Sequence, residues 1–416
     1  MSAEDRSIER PFSTLGRVAS LAFLLFVACL PWSIATMSIG IGLCVAATLA
    51  AWVAERRPWP AWGRTPVDRA GIGWLAALVI ASVMALDRAG SWPRITKGLM
   101  PALVGLAAYH TADRERGRRA LAVLLAMGAL VAVLGFVVWV MQGHTFAARA
   151  RGFAGHYMTF AGQLLLEIPV ALGIALTARE PRWRWGAAGT AALSFLALAV
   201  TFTRSAWVGL LVSCGVLLGA LAPWGLLALA ALAALAWWFA PGAWHARLHS
   251  IFDIHNPWNR ERVIMWHAGF HMFHDHPWTG VGLQDLRPLY LRYRTAGSTE
   301  DVGHLHDVFV QIAATMGVIG LGAFVWLYAS LIRAASVGLA QARARSRAWR
   351  AEGLGAGVRL GVTAALAGFL VAGLFEWNFG DEELLYLLYT LVGIAWASRS
   401  WSARTSVAAE RAAPSS

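Results

Sequence analysis

Between Pro241 and His306 the chain carries six arginines and nine of its 12 histidines. Imidazole transfers protons near neutral pH, and the planar guanidinium holds phosphate through paired donors. This stretch is therefore equipped for acid–base work on a phosphorylated substrate. Within it, His304-Leu305-His306-Asp307 sets two imidazoles beside a carboxylate where the loop meets the next apolar run. Such a histidine can serve as a general base or proton shuttle; the plainer reading is a polar helix cap. The histidine pair also has zinc-ligand chemistry, but no cysteine or clustered carboxylate at suitable spacing completes a tetrahedral set, so no metal is expected.

Two earlier places add cations. Arg204, in Val200-Thr201-Phe202-Thr203-Arg204-Ser205, lies between two apolar runs with almost no loop to lift it into water. A charge at the centre of a membrane helix costs about 2.5 to 3.5 kcal/mol, so Arg204 needs a partner, a function, or a snorkelling path at the hairpin. Arg149 and Arg151 sit among small residues in Ala148-Arg149-Ala150-Arg151-Gly152, shortly before Gly155-His156. Small residues let backbone approach a ligand closely; the alternative is a plain surface loop.

The composition describes the scaffold that must position these groups. Of 416 residues, 58% are hydrophobic and 14% charged, with 22 tryptophans, more apolar surface than a soluble domain can bury. Apolar runs of about 17 to 25 residues recur, each matching a hydrocarbon core of roughly 30 Å. The expected fold class is an all-α polytopic membrane protein with about 12 transmembrane helices. The runs lie near 18–37, 38–54, 71–86, 95–111, 120–141, 157–178, 187–203, 205–222, 223–240, 306–332, 360–375 and 383–397. The expected division is helices one to nine over 1–240, a large loop with helices of its own over 241–305, the last helices over 306–398, and a tail over 399–416.

An N-terminus in the cytoplasm puts 23 of the 35 basic residues on the cytoplasmic side, the excess that the positive-inside rule requires. The net charge of +12 then reflects membrane topology, and nucleic acid is not an expected partner. The same topology brings 142–156, the Arg204 hairpin, the large loop and the acidic turn 376–383 to one periplasmic face. The first run follows Arg6, Arg10 and Arg17 but lacks a small-residue cleavage site, so it reads as a retained helix. Cys29, Cys44 and Cys214 lie within apolar runs and read as small buried hydrophobes.

Within the large loop, Asn256-Pro257 reads as a helix start and Pro277 with Gly280 as its end. Arg262, Trp266, Phe270 and Phe273 recur at helical steps, a stripe expected to face the bilayer at headgroup level. No Gly-rich phosphate cradle, nucleophile elbow or paired-Asp motif stands on this face. A donor activated by its own pyrophosphate leaving group needs none of them, so no cofactor is expected.

Four pieces resemble the O-antigen ligase and polymerase family of bacterial inner membranes. They are Arg151-x-Phe153 with Gly155-His156; Thr203-Arg204-Ser205; Arg262-Val-Ile-Met-Trp266 leading to Pro277-Trp-Thr-Gly280-Val-Gly282; and His304-Leu-His306-Asp307 followed by Gln311 and Gly317-Val-Ile-Gly320. The resemblance covers residues 149–324, and departs from the family at Asp307, where Asn is usual. The added charge is expected to hold His306 more basic, and His306 is favoured over His304 as the working base.

The resemblance implies a GT-C-like, lipid-carrier glycosyltransferase with its active site at the periplasmic face of the inner membrane. The ligase joins O-antigen, carried on undecaprenyl pyrophosphate, to the lipid A-core oligosaccharide. On that reading Arg204, Arg262 and Arg151 clamp the pyrophosphate and His306 activates the acceptor hydroxyl. His304, Asp307, Arg260, Arg149 and His156 are expected in support. Transfer would invert the anomeric carbon with neither metal nor covalent intermediate. The nearest rival is the polymerase of the same family, whose acceptor is a second lipid-linked repeat. A lipid-linked oligosaccharide transporter would need charges along a path through the spans, where Glu167 is the conspicuous acid.

Overall fold

Inside hydrocarbon every backbone polar group must be satisfied within its own segment, so the apolar runs fold as helices. The computed structural model describes residues 14–56, 64–145, 148–239, 242–251, 253, 255–295, 298, 301–339 and 353–401. In order, the helices are α1 (Thr14–Cys29), α2 (Ile34–Ala54), α3 (Asp68–Val83), α4 (Leu103–Thr111), α5 (Arg114–Met141), α6 (Tyr157–Thr177), α7 (Pro181–Ala199) and α8 (Arg204–Leu221). They continue as α9 (Gly225–Phe239), α10 (Gly242–His249), α11 (Pro257–Asp275), α12 (Arg287–Tyr293), α13 (Val308–Ser336), α14 (Leu354–Ala372) and α15 (Glu382–Ser398). The N-terminal Arg6 and Arg10, the arginine-rich connection around 343–350 and the tail beyond Trp401 lie outside the described residues.

Among the described residues six helices, α2, α5, α6, α8, α13 and α14, are long and apolar enough to cross a membrane. The chain is a multi-pass membrane protein. Ile39, Val137 and Leu211 turn outward on these helices, as suits a protein whose solvent is lipid. The expected spans fall on helical segments, but not all are span-length α-helices: α1 and α15 have 16 and 17 residues. Run 95–111 is a further correction. Trp92–Ala102 is a 3-10 helix with Pro101 inside it, and only Leu103–Thr111 is α-helical. Proline removes a backbone donor and crowds the preceding turn, which breaks the run.

At the centre α6 packs against α14 so closely that a Cβ on Gly173 would lie 2.4 Å from the Gly357 carbonyl oxygen, the approach that small residues permit between membrane helices. The run 306–332, read from sequence as one span, is two helical pieces meeting at Gly317, where φ is +63° and ψ −159°. That break frees backbone groups, which the stretch after α11 satisfies. Val281 N donates to Ala314 O at 2.8 Å and Gly282 N to Thr315 O at 3.0 Å. In return Val318 N donates to Pro277 O at 2.8 Å. The glycine motifs of 277–282 and 317–320 thus interlock backbone to backbone.

No side chain fits there. A Cβ on Gly280 would lie 2.2 Å from the Thr315 carbonyl carbon, and one on Gly317 would lie 2.3 Å from that of Trp278. Both glycines also have positive φ. Gly280→Ala and Gly317→Ala are each expected to destabilise the protein by about 2 to 4 kcal/mol, read as a lowered thermal midpoint in detergent. An unchanged midpoint would mean that this junction does not hold the loop.

Candidate active site

At the end of the helices where α5, α7 and α10 finish, a cavity of about 510 Å³ is lined by Arg149, His156, Arg204, Arg247, Arg262, His304, His306 and Glu376, among others. Five separate stretches of chain contribute.

The first half of α11 supplies Glu261 and Arg262. Asn256 caps it, its Oδ1 accepting from Trp258 N at 3.2 Å, and Pro257 opens the first turn, as the sequence suggested. Ile264, Met265, Ala268 and Met272 form its buried face. That register turns Arg262 into the cavity and leaves Phe270 outward, so the expectation that Arg262 shares a bilayer-facing stripe with Phe270 is corrected. Arg260 is exposed and does not line the cavity, because positions two apart on a helix point about 200° from each other.

The turn 304–307 is anchored by Leu305. Its side chain is fully buried and its N donates to Gln311 Oε1 at 2.8 Å, giving the motif glutamine a structural task. His306 has φ +49°, a conformation that side-chain-bearing residues seldom adopt and that sites of chemistry often retain. Asp307 caps α13, its Oδ1 accepting from Phe309 N at 2.7 Å and Val310 N at 2.9 Å. Burial raises its pKa against those donors. Its carboxylate is therefore engaged by backbone, and the carboxylate bonded to His306 comes from elsewhere in the chain.

Glu376, in the turn before α15, stands in that place. His306 Nδ1 lies 3.1 Å from Oε1 and 3.2 Å from Oε2 of Glu376, while His304 Nε2 lies 3.8 Å from Oε1. The two imidazole centroids are 4.2 Å apart. Burial opposes the Glu376 charge, but His306, His304 and Arg262 together outweigh it and pull the carboxyl down to about 2. Burial, then the neighbouring His306, depresses the His304 pKa.

The sign of the linkage follows. Held at about 2 when folded against 4.5 for an ordinary glutamate, ionised Glu376 favours the folded state. That contribution is complete above pH 4.5 and is lost as pH falls to about 2. Glu376→Gln is therefore expected to flatten the decline of thermal midpoint with acid over this window. An unchanged acid limb would show that the carboxylate is not held by the cations.

The guanidinium groups divide into tied and untied. Arg204 opens α8; its Nη1 donates to Ser250 O and, at 3.0 Å, to Ser250 Oγ, and its Nη2 donates to Asn259 Oδ1 at 2.7 Å. It thus fastens the loop to the hairpin while still lining the cavity. Arg247 Nε donates to Phe202 O at 3.1 Å, and burial with nearby guanidinium charge pulls its pKa down to about 10. Arg149 lies over the Tyr157 ring at 4.4 Å. Arg262 Nε is buried and has no hydrogen-bond partner among the described residues, and burial lowers its pKa.

Of the arginines read from sequence as the clamp, Arg204 and Arg262 converge with His306, and Arg151 does not. Ala150 is buried and bonded through its N to Val200 O at 3.1 Å, which pins the loop with Arg149 on Tyr157 and Arg151 exposed. His156 lines the cavity and caps α6, its Nδ1 accepting from Met158 N at 3.3 Å. Beside it Thr159 Oγ1 donates to Asp381 Oδ2 at 2.8 Å, and burial pushes the Asp381 carboxyl up to about 6.

The residues missed from sequence are Glu376, Arg247 and Tyr157. Glu376 had one signal, its place in an acidic turn on the arginine side of the membrane; Tyr157 had none. His304, His306 and Glu376 also offer three donor atoms within 4.8 Å of one another, a set able to hold a divalent metal.

Three guanidinium groups around a fourth whose Nε has no hydrogen-bond partner among the described residues suit an anion with several oxygens, and the carboxylate-braced imidazole suits removal of a proton from a hydroxyl. Comparison with curated proteins finds none that matches the chain. A family model described as O-antigen ligase matches residues 189–325, about a third of the chain, a segment that holds Arg204, Arg262, His304 and His306 but neither Arg149 nor Glu376. Through residues 189–325 this chain is similar to the O-antigen ligase family.

Proposed function

We propose that the protein is an O-antigen ligase. It is a GT-C-like glycosyltransferase that moves O-antigen from undecaprenyl pyrophosphate to a sugar hydroxyl of lipid A-core, at the periplasmic face of the inner membrane. The observation that carries this reading is Arg262, whose buried Nε lacks a partner in a cavity shared with Arg149, Arg204, Arg247 and His306. A desolvated guanidinium left unpaired is costly, and a diphosphate would pair it.

Glu376 accepts from His306 Nδ1, which fixes the tautomer and leaves Nε2 as the base. His306 takes the proton of the acceptor hydroxyl as its oxygen attacks the anomeric carbon. The bond from that carbon to the phosphate oxygen breaks, and the undecaprenyl pyrophosphate departs with the electron pair. The arginines stabilise the growing negative charge. Direct displacement inverts the anomeric centre.

Reconstitution tests the reading: purified protein with undecaprenyl-pyrophosphate glycan and lipid A-core, with and without chelator. Core-linked product formed equally in both arms is expected. Lengthened carrier-linked glycan in place of core-linked product would identify a polymerase. Loss of product with chelator would assign His304, His306 and Glu376 to a metal.

A further inference from the structure

At the end of α5 and α7 remote from the active-site cavity, a second crevice of about 430 Å³ lies between the first turns of these helices. Its mouth holds Arg118, Arg119 and Arg182 with Trp183; at depth it reaches buried Leu125, Ala187 and Thr190 between exposed small-residue walls of Ala122, Ala126 and Gly186. The one hydroxyl at that depth, Thr190 Oγ1, donates inward to Leu125 O at 3.4 Å, so the inner wall presents carbon. A small headgroup alone would leave these apolar walls wet.

The mouth is cationic after its own carboxylates are counted. Arg118 is fully engaged, its two Nη groups each 2.6 Å from an oxygen of Glu180, and its guanidinium lies 5.4 Å from the Trp183 ring centre. Arg119 and Arg182 differ. Each uses Nε in an exposed ion pair, with Glu115 at 3.3 Å and Glu180 at 3.0 Å, and their side chains are 64% and 77% exposed. Exposed pairs of this kind contribute little and exchange readily, so both forks can turn to an incoming phosphate. Trp185, exposed beside them with Arg184 over its ring at 5.7 Å, is the residue type that marks a bilayer boundary.

We propose that this crevice is a binding site for an anionic glycerophospholipid. Arg119 and Arg182 hold the phosphate, and the small-residue wall between α5 and α7 takes the start of an acyl chain. Basic pockets between membrane helices favour such lipids because charge and apolar surface are recognised together. The site is independent of the proposed transfer reaction, since it is built at the opposite end of the helices and shares no residue with the first cavity.

The test uses delipidated full-length protein in detergent, titrated with phosphatidylglycerol, phosphatidylcholine or inorganic phosphate, with lipid adducts read by native mass spectrometry. Phosphatidylglycerol is expected to bind in preference to phosphatidylcholine. Arg119→Gln with Arg182→Gln should weaken it about fivefold per arginine, on the order of 20-fold for the pair. Arg119→Lys with Arg182→Lys should keep most of the preference, and Ala126→Phe should weaken both lipids by filling the crevice. These two variants leave the mouth's charge intact and make the result independent of how the glutamine pair folds. Equal binding of both lipids, undiminished adducts in Ala126→Phe, or competition by millimolar inorganic phosphate as strong as by lipid would overturn the proposal.

Discussion

His306→Ala is expected to lower glycan transfer by about 10²- to 10⁴-fold, the range that a positioned general base commands. The imidazole sits with Nδ1 on Glu376 and its ring against His304, so its orientation is set before substrate arrives. Alanine meets the same backbone strain at φ +49° that histidine does, and His304 and Arg262 remain beside Glu376 to hold its charge. The variant should therefore fold and elute as the parent does. His304→Ala should cost less, since its Nε2 lies 3.8 Å from the carboxylate and its buried Nδ1 has no hydrogen-bond partner among the described residues. A His306→Ala enzyme within a few-fold of the parent would remove the base from the proposed mechanism.

The arginines give the second large effect and a way to separate function from support. Arg262→Ala should lower transfer by about 10²- to 10³-fold, as expected for one donor aimed at developing charge. Its thermal midpoint should hold or rise, because removing a desolvated cation whose Nε has no hydrogen-bond partner among the described residues outweighs the smallest of the three cationic contributions to the Glu376 charge. Arg204→Ala should lose transfer by a similar factor but with a lowered midpoint, because its guanidinium ties Ser250 and Asn259 to the hairpin. Lysine at position 262 cannot reproduce the planar fork and should not restore the rate. Arg151→Ala, by contrast, should stay within about twofold, as surface substitutions usually do, its side chain being exposed outside the cavity. Inorganic pyrophosphate should raise the midpoint of the parent and not of Arg262→Ala. Parallel loss of stability and rate in both variants would mark Arg262 as a brace only.

Much of this was legible in residue order. Hydropathy runs gave the helices, because burying a backbone in lipid depends on the segment alone. The Asn256-Pro257 helix start was read correctly for the same reason: a cap acts on its own first turn. Arg204, Arg262 and His306 stood out as groups too costly or too reactive to be ordinary scaffold. Chain order also misled. Run 306–332 reads as one span, yet its break at Gly317 is stable only because backbone from 277–282 satisfies the groups it frees.

Residue types and their local periods, then, determined that this is a multi-pass helical membrane protein with arginine and histidine gathered in its loops. Tertiary structure alone decided that Glu376, and not the adjacent Asp307, braces His306, that Arg149 faces the cavity and Arg151 does not, and that Arg247 joins them. The physical reason is one of range. Helix formation and membrane insertion depend on neighbours a few residues away, whereas a charged site depends on which loops the packed helices bring within a few ångströms.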